Sequence, residues 1–249
     1  MSQLDGRVAI VTGGTKGIGR AISTALASAG AAVGVNYVSD ADAAHRVAAG
    51  IEGAGGRAVA VQGDKSQALD VERIFAEVTG AFGPVDILVN NAAVLSFQPV
   101  EEITEAEFHR QYNTNVLGPI LTTQAFIGQV PVEGGSIINI STAGTAVSAP
   151  GSALYTSTKG ALMVLTRILA NELAGRRIRV NAIALGATDT DGARALGLIG
   201  GDMVEQLVAA TPLGRLGQPG DIGPIAVFLA SEDARWVTGD VIYASGGNH

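Results

Sequence analysis

Residues 7–19 read RVAIVTGGTKGIG. The run 7–12 is β-branched and aliphatic with no polar alternation, the pattern of a strand buried on both faces. Glycines follow at 13, 14, 17 and 19, and helix-period residues fill 18–29 up to Gly30. A strand, a glycine-rich turn and a helix in direct succession let the backbone bend sharply. They also bring the free N–H groups of a helix N-terminus against an anion. Glycines alone are weak evidence; between a strand and a helix they predict a cradle for a pyrophosphate.

Outward from this stretch the alternation continues. The spacing predicts strands over 32–37, 57–62, 85–89, 136–141, 178–183 and 240–243. Helices are predicted over 40–54, 67–82, 105–128 and 153–173. Strands alternating with helices imply right-handed crossovers. The expected fold is α/β: a single Rossmann-type doubly wound domain over 1–249, with a seven-stranded parallel sheet flanked by helices on both faces. Residues 187–218 depart from the pattern, being Gly-rich with one helix around 201–210. An excursion after the sixth strand is expected to form a lid, because ligands bind at the carboxyl ends of such strands.

Composition narrows the function. Hydrophobic residues make up 47% of the chain but aromatic ones only 4%, so the core is expected to be aliphatic. The net charge of −7 argues against a nucleic-acid partner, since phosphate repels it. The absence of cysteine excludes disulfides, thiolate metal sites and a cysteine nucleophile. His45, His109 and His249 are far apart in sequence, so no metal site is expected. No run reaches the roughly 20 apolar residues that span a bilayer, and no signal-peptide pattern opens the chain. The expectation is a soluble, cytoplasmic protein with no membrane partner.

Further motifs follow in order. The glycine spacing after Thr12 is G-x-x-x-G-x-G. Asn90-Asn91-Ala92-Ala93 comes after the fourth strand, and Asn115 lies in Asn-Thr-Asn-Val on the next helix. Tyr155 and Lys159 form Tyr-x-x-x-Lys, and Ser245-Gly246-Gly247 stands near the end. Together these resemble the short-chain dehydrogenase/reductase family over essentially the whole chain. The resemblance implies a nicotinamide-dependent oxidoreductase acting on a carbonyl or alcohol, assembled as a homotetramer. It places Gly13, Thr15, Lys16, Gly17, Ile18 and Gly19 in the cofactor loop. Asp64 would hold the adenine amino group. Asn90 and Ala92 would line the ribose side, and Gly186, Thr188 and Thr190 the nicotinamide end.

A carboxylate at the end of the second strand would bind the ribose 2′-hydroxyl of NAD and repel a 2′-phosphate. Here residues 35–39 read VNYVS, so that carboxylate is absent. Lys16 can meet a phosphate as a point charge, with Tyr37 and Ser39 beside it. NADP(H) is favoured over NAD(H), although Val38 stands where NADP-preferring relatives often have Arg. Asp40 and Asp42 are read as the start of the next helix.

Tyr155 and Lys159 are four apart on a helix and share a face. A phenol with its ordinary pKa of about 10 gives up its proton poorly at neutral pH. A neighbouring ammonium and a positive nicotinamide ring favour phenolate, so Tyr155 is expected to exchange a proton with the substrate oxygen. The resemblance implies that Lys159 holds the nicotinamide ribose and that Asn115 anchors a water relaying protons to it. The family's substrate-binding hydroxyl lies thirteen residues before the Tyr. That position is Thr142, favoured over its neighbour Ser141, since adjacent strand residues face opposite ways. Leu185 replaces the usual Pro, which is expected to loosen the backbone there, and Ala93 replaces Gly.

Val94, Thr145, Ala146, Leu154 and the 187–218 segment are the expected pocket wall, small and mostly apolar, fitting a neutral ketone, aldehyde or secondary alcohol. One alternative is a 3-oxoacyl-acyl-carrier-protein reductase, with Arg176 and Arg177 docking the acidic carrier. A remote alternative is a nicotinamide-binding sensor without catalysis.

Overall fold

The computed structural model describes residues 3–147 and 149–248; His249 lies outside them. The chain runs β1 (Val8–Val11), α1 (Gly17–Ser28), β2 (Ala32–Tyr37), α2 (Ala41–Gly53), β3 (Arg57–Gln62), α3 (Ala68–Phe82) and β4 (Ile87–Asn90). It continues through α4 (Glu105–Tyr112), a π-helical turn Asn113–Leu117, α5 (Gly118–Gln129), β5 (Gly135–Thr142), α6 (Ala153–Leu173) and β6 (Ile178–Leu185). Last come α7 (Asp191–Ala195), α8 (Gly201–Ala209), α9 (Pro219–Ala230) and β7 (Val241–Ala244).

The strands pair in parallel in the order β3-β2-β1-β4-β5-β6-β7. Successive strand residues point to opposite faces, and this divides the interior in two. Ala9 and Val11 join Ile22, Leu26, Val47, Ile51, Ile222 and Leu229 on the face covered by α1, α2 and α9. Val8 and Ile10 join Ile74, Phe75, Val78, Phe126 and Leu173 on the face covered by α3, α5 and α6. The strand order reverses at β1, which opens a crevice at the carboxyl ends of β1 and β4. The glycine turn leaves one of those ends and Asn90–Ala93 the other.

Three features differ from the sequence expectation. The helix expected over 105–128 is broken at Asn113–Leu117. Pro119 has no N–H to offer the carbonyl of Asn115 four residues back, so the α ladder cannot run through. β6 extends to Leu185, whose residue pairs with Thr142 on one side and Ala244 on the other. A leucine has the N–H that a proline lacks, so this backbone is held by the sheet rather than loosened. Finally, α9 lies where no element was expected: Pro219 occupies the first turn and a capping box of Gln218 and Asp221 starts the helix.

The segment 187–218 leaves the sheet and returns to its starting point. Thr188 bridges Gly217, and the Asp189 N–H donates to the Gly217 carbonyl. No helix among the described residues is long and apolar enough to cross a membrane.

Candidate active site

At the turn after β1, Gly13 and Gly17 have φ of +62° and +51°, left-handed values that disfavour a side chain. A Cβ at Gly19 would lie 2.1 Å from the Gly13 carbonyl oxygen, so α1 approaches the turn as closely as only glycine allows. Lys16 stands at the N-cap in extended conformation, and no side chain caps α1. The first N–H groups of the helix therefore face the crevice, the donor set that a pyrophosphate needs. The two crevice walls are tied together. Thr12 Oγ1 accepts the N–H groups of Asn91 (3.0 Å) and Ala92 (3.1 Å), while Asn91 Nδ2 donates to the carbonyls of Thr12 and Gly13. Thr190 lies over the turn, its Cβ 3.4 Å from the Cβ position of Gly17.

At the far end of the groove Thr15, Lys16, Arg20, Asp40 and Arg46 share one cleft. Asp40 Oδ1 accepts the Ala43 N–H and so caps α2. Ser39 is exposed and Tyr37 half-buried beside it. Asp64 is half-buried, with Oδ1 accepting the N–H and hydroxyl of Ser66. Asn90 is placed differently from a ligand-facing side chain. Its amide donates to Asn139 and its oxygen accepts from Thr122, in a buried polar core, which leaves its backbone to line the groove. Thr188 donates to the Gly186 carbonyl, bracing the bend that follows β6.

Tyr155 and Lys159 project from α6 into the crevice, with Lys159 Nζ 5.7 Å from the Tyr155 ring centre. Nζ donates to the Ile140 carbonyl at 2.8 Å. Burial pushes the phenol up to about 12 and the ammonium down to about 8. Desolvation alone thus favours the protonated phenol, against the ammonium and the positive nicotinamide ring on which the expected phenolate depends. Asn115, 1% exposed, sits in the π-helical turn. Its side chain accepts the Val94 N–H (2.9 Å) and donates to the Val94 carbonyl (2.8 Å) and to Thr158 (3.1 Å), the residue beside Lys159.

The two candidate hydroxyls separate as the strand pleat dictates. Ser141 is buried, its hydroxyl donating to the Lys159 carbonyl from behind α6. Thr142 is half-buried at the end of β5; Oγ1 accepts the Gly144 N–H and donates to the Leu185 carbonyl. Leu154 is buried, so it belongs to the core rather than to a pocket wall. The wall beside Tyr155 is instead Phe97, 45% exposed and edge-on to the Tyr155 ring at 5.8 Å. Arg176 and Arg177 precede β6, at the edge of the sheet opposite the crevice, and Arg176 donates to the Ile127 carbonyl. Topology therefore rules out their docking a carrier at this site.

Sequence reasoning missed Phe97, Asn91, Arg20, Arg46 and Lys65. Arg20 carried a usable signal, since it lies one turn after Lys16 on a helix whose start was already assigned to phosphate. Phe97 and Lys65 carried none, because tertiary folding alone brings them to the crevice.

A dinucleotide groove, a half-buried tyrosine with a buried lysine beside it and a π-turn asparagine define an oxidoreductase that works with a nicotinamide. The family model described as enoyl-(acyl carrier protein) reductase matches residues 13–249. An uncharacterized oxidoreductase of Methylorubrum extorquens is 52% identical, over 99% of both chains. A hydroxynaphthalene reductase-like protein of Metarhizium brunneum is 38% identical over 98% of this chain and 96% of its own. The crystal structure of an angucycline C-6 ketoreductase with bound NADP superposes with a TM-score of 0.92. It is 38% identical and covers 99% of this chain and 97% of its own. The chain belongs to the short-chain dehydrogenase/reductase family.

Proposed function

We propose that the protein uses NADPH to reduce a neutral, flat and apolar ketone to a secondary alcohol. The observation that carries this reading is Tyr155 on α6 with Lys159 Nζ 5.7 Å from its ring centre, an acid–base pair beside the dinucleotide groove that can give a proton to a carbonyl oxygen. When bound, the nicotinamide supplies hydride to the carbonyl carbon. Thr142 holds the carbonyl oxygen by its hydroxyl, and Tyr155 Oη donates the proton to that oxygen. Lys159 returns a proton towards Tyr155 and holds the nicotinamide ribose, and Asn115 fixes the helix turn beside it. Phe97 stacks on the substrate, whose flatness fits the exposed ring edge-on to Tyr155. A naphthalene and an angucycline in the names of two relatives support that class.

The groove residues support a dinucleotide. Gly13, Gly17, Ile18, Gly19 and the α1 N-terminus would hold the pyrophosphate, and Asp64 and Ala92 would flank the adenosine. Gly186, Thr188 and Thr190 would flank the nicotinamide. Lys16, Arg20 and Arg46 favour a 2′-phosphate, and NADP in the bound ketoreductase agrees. The 187–218 segment, closed at its neck, acts as the lid. Exposed Phe108, Leu117, Val164 and Ile168 on α4 to α6 support a homotetramer, readable by light scattering. A cytoplasmic location is part of the same reading.

The test is a substrate panel with NADPH and NADH: a bicyclic aryl ketone, a small aliphatic ketone and a 3-oxoacyl thioester. The bicyclic ketone with NADPH is expected to give the highest kcat/KM. Preference for the thioester would replace this reading with the acyl-carrier one. Tight cofactor binding without turnover of any substrate would make the protein a sensor.

A further inference from the structure

Residues 91–99 carry no helix or strand, yet the stretch 94–98 is held at nearly every residue. Asn115 bonds Val94 through both its N–H and its carbonyl. Arg110 Nη2 donates to the Leu95 carbonyl at 3.4 Å. The Ser96 hydroxyl donates to Glu107 Oε1 at 2.6 Å and accepts the Gln111 amide at 3.0 Å. The Gln98 N–H donates to the Gly151 carbonyl, and its side chain to the Glu102 carbonyl. Phe97 stands between two anchored residues, with its ring edge-on to Tyr155 at 5.8 Å.

Much of this grip comes from one stripe. Glu107 and Gln111 are four apart on α4 and share a face, and Asn115 follows in the π-helical turn. Glu107 is the hub. Its Oε1 accepts from Ser96, from Gln111 Nε2 at 2.8 Å and from Arg110 Nη2 at 2.7 Å, while Oε2 accepts Arg110 Nε at 2.7 Å. Arg110 first, then Ser96 and Gln111, hold the carboxyl down to about 2, so it is an anion at neutral pH. The cluster is costly. Gln111 is fully buried, and its Oε1 has no partner among the described residues. Turning the amide over would set that oxygen against the Glu107 carboxylate. An aliphatic residue at this place would avoid the orphaned acceptor, but could not tie Ser96 to α4.

We infer that Glu107 is a positioning residue that sets substrate choice: through Ser96 it fixes where Phe97 stands beside Tyr155, and so favours flat carbonyl substrates over small ones. This rests on the reading of Phe97 as the wall on which a flat ketone stacks. With Ser96 released, the ring keeps its chemistry and loses its place. A small aliphatic ketone has no flat surface to lay on that ring, so its turnover depends on Tyr155 and Lys159 and little on Glu107.

The experiment is a double-mutant cycle between Glu107 and Phe97, read with NADPH on a bicyclic aryl ketone and a small aliphatic ketone. Glu107→Ala is expected to raise KM for the aryl ketone about tenfold. Its kcat, and kcat/KM for the aliphatic ketone, are expected to fall by less than about twofold. In a Phe97→Ala background the same substitution is expected to add nothing on the aryl ketone, because Glu107 acts through the ring. Glu107→Gln keeps an acceptor for Ser96 and is expected to restore most of the KM. Equal losses on both ketones, or additive effects of the two substitutions, would make Glu107 a brace of α4 and overturn the inference. If Glu107→Ala fails to fold, Ser96→Ala removes the same link from the loop side and is expected to give the same split. One readout needs no substrate: a nuclear Overhauser contact between the Phe97 and Tyr155 rings, expected in the wild type and lost in Glu107→Ala. Its persistence in that variant would also overturn the inference. A wild type that turns over neither ketone would defeat the substrate reading, and the ring contact would still decide the role of Glu107.

Discussion

At the scale of the residue, the site is a set of groups whose environments oppose their ordinary chemistry. Tyr155→Phe is expected to abolish turnover, a fall of roughly 10³-fold or more in kcat, while cofactor affinity measured by fluorescence titration stays intact. Loss of both together would mean the phenol is structural. The two hydroxyls should part company. Thr142→Ala is expected to lower kcat at least roughly tenfold. Ser141→Ala, which loses only a bond to the Lys159 carbonyl, lowers stability by about 1 kcal/mol and leaves kcat near wild type. The reverse order would move the substrate hydroxyl to Ser141. Lys159 also links stability to pH. Unfolded, a lysine holds its proton to about 10.5; folded, Lys159 releases it near 8. Between these values the unfolded chain binds the extra proton, so this residue's contribution is least favourable below pH 8 and recovers as pH rises to 10.5. Lys159→Met is therefore expected to stabilise the fold by roughly 2–3 kcal/mol at pH 7. By pH 10.5 little of that gain remains, as urea unfolding at both values would reveal.

At the scale of the element, the break between α4 and α5 matters most. It turns Asn115 out of the helix and onto the Val94 backbone, so one side chain joins the β4 loop to α6. Asn115→Ala removes three hydrogen bonds, one fully buried and two partly so, and is expected to destabilise by about 2–4 kcal/mol, with a fall in kcat visible in the folded fraction. An unchanged Tm would mean that Pro119 alone sets the break. The regular elements were legible in the sequence because their periodicity is local; β2, β3 and α6 match the expected limits residue for residue. Asn115 was legible as a site residue, but the π-helical turn that presents it was not. The overlooked cue was Pro119, whose effect falls four residues upstream of itself. Helix α9 was hidden in part because one of its glycines serves close packing: a Cβ at Gly223 would meet Ala25 of α1 at 2.8 Å. Thr142 was separated from Ser141 by the pleat alone, whereas Phe97 reaches Tyr155 only through a loop whose course no periodicity encodes.

At the scale of the whole molecule, the groove joins the two halves of the sheet, so a bound dinucleotide should stabilise the entire fold. At a hundredfold excess over Kd, NADPH adds about 2.7 kcal/mol, a rise in Tm of roughly 5–10 °C for a chain of this length. NADH at the same concentration is expected to raise Tm less, and Lys16→Ala with Arg20→Ala to narrow the difference. Equal shifts for both cofactors in the wild type would refute the 2′-phosphate assignment. The chain's three lysines differ in access. Lys65 and Lys159 are each 3% exposed, whereas Lys16 is open to solvent at the lip of the groove. An amine-reactive dye therefore meets one lysine side chain on the folded protein. Because Lys16 is the side chain assigned to the 2′-phosphate, bound NADPH is expected to shield it from the dye, so protection of that one side chain would be a footprint of cofactor arrival.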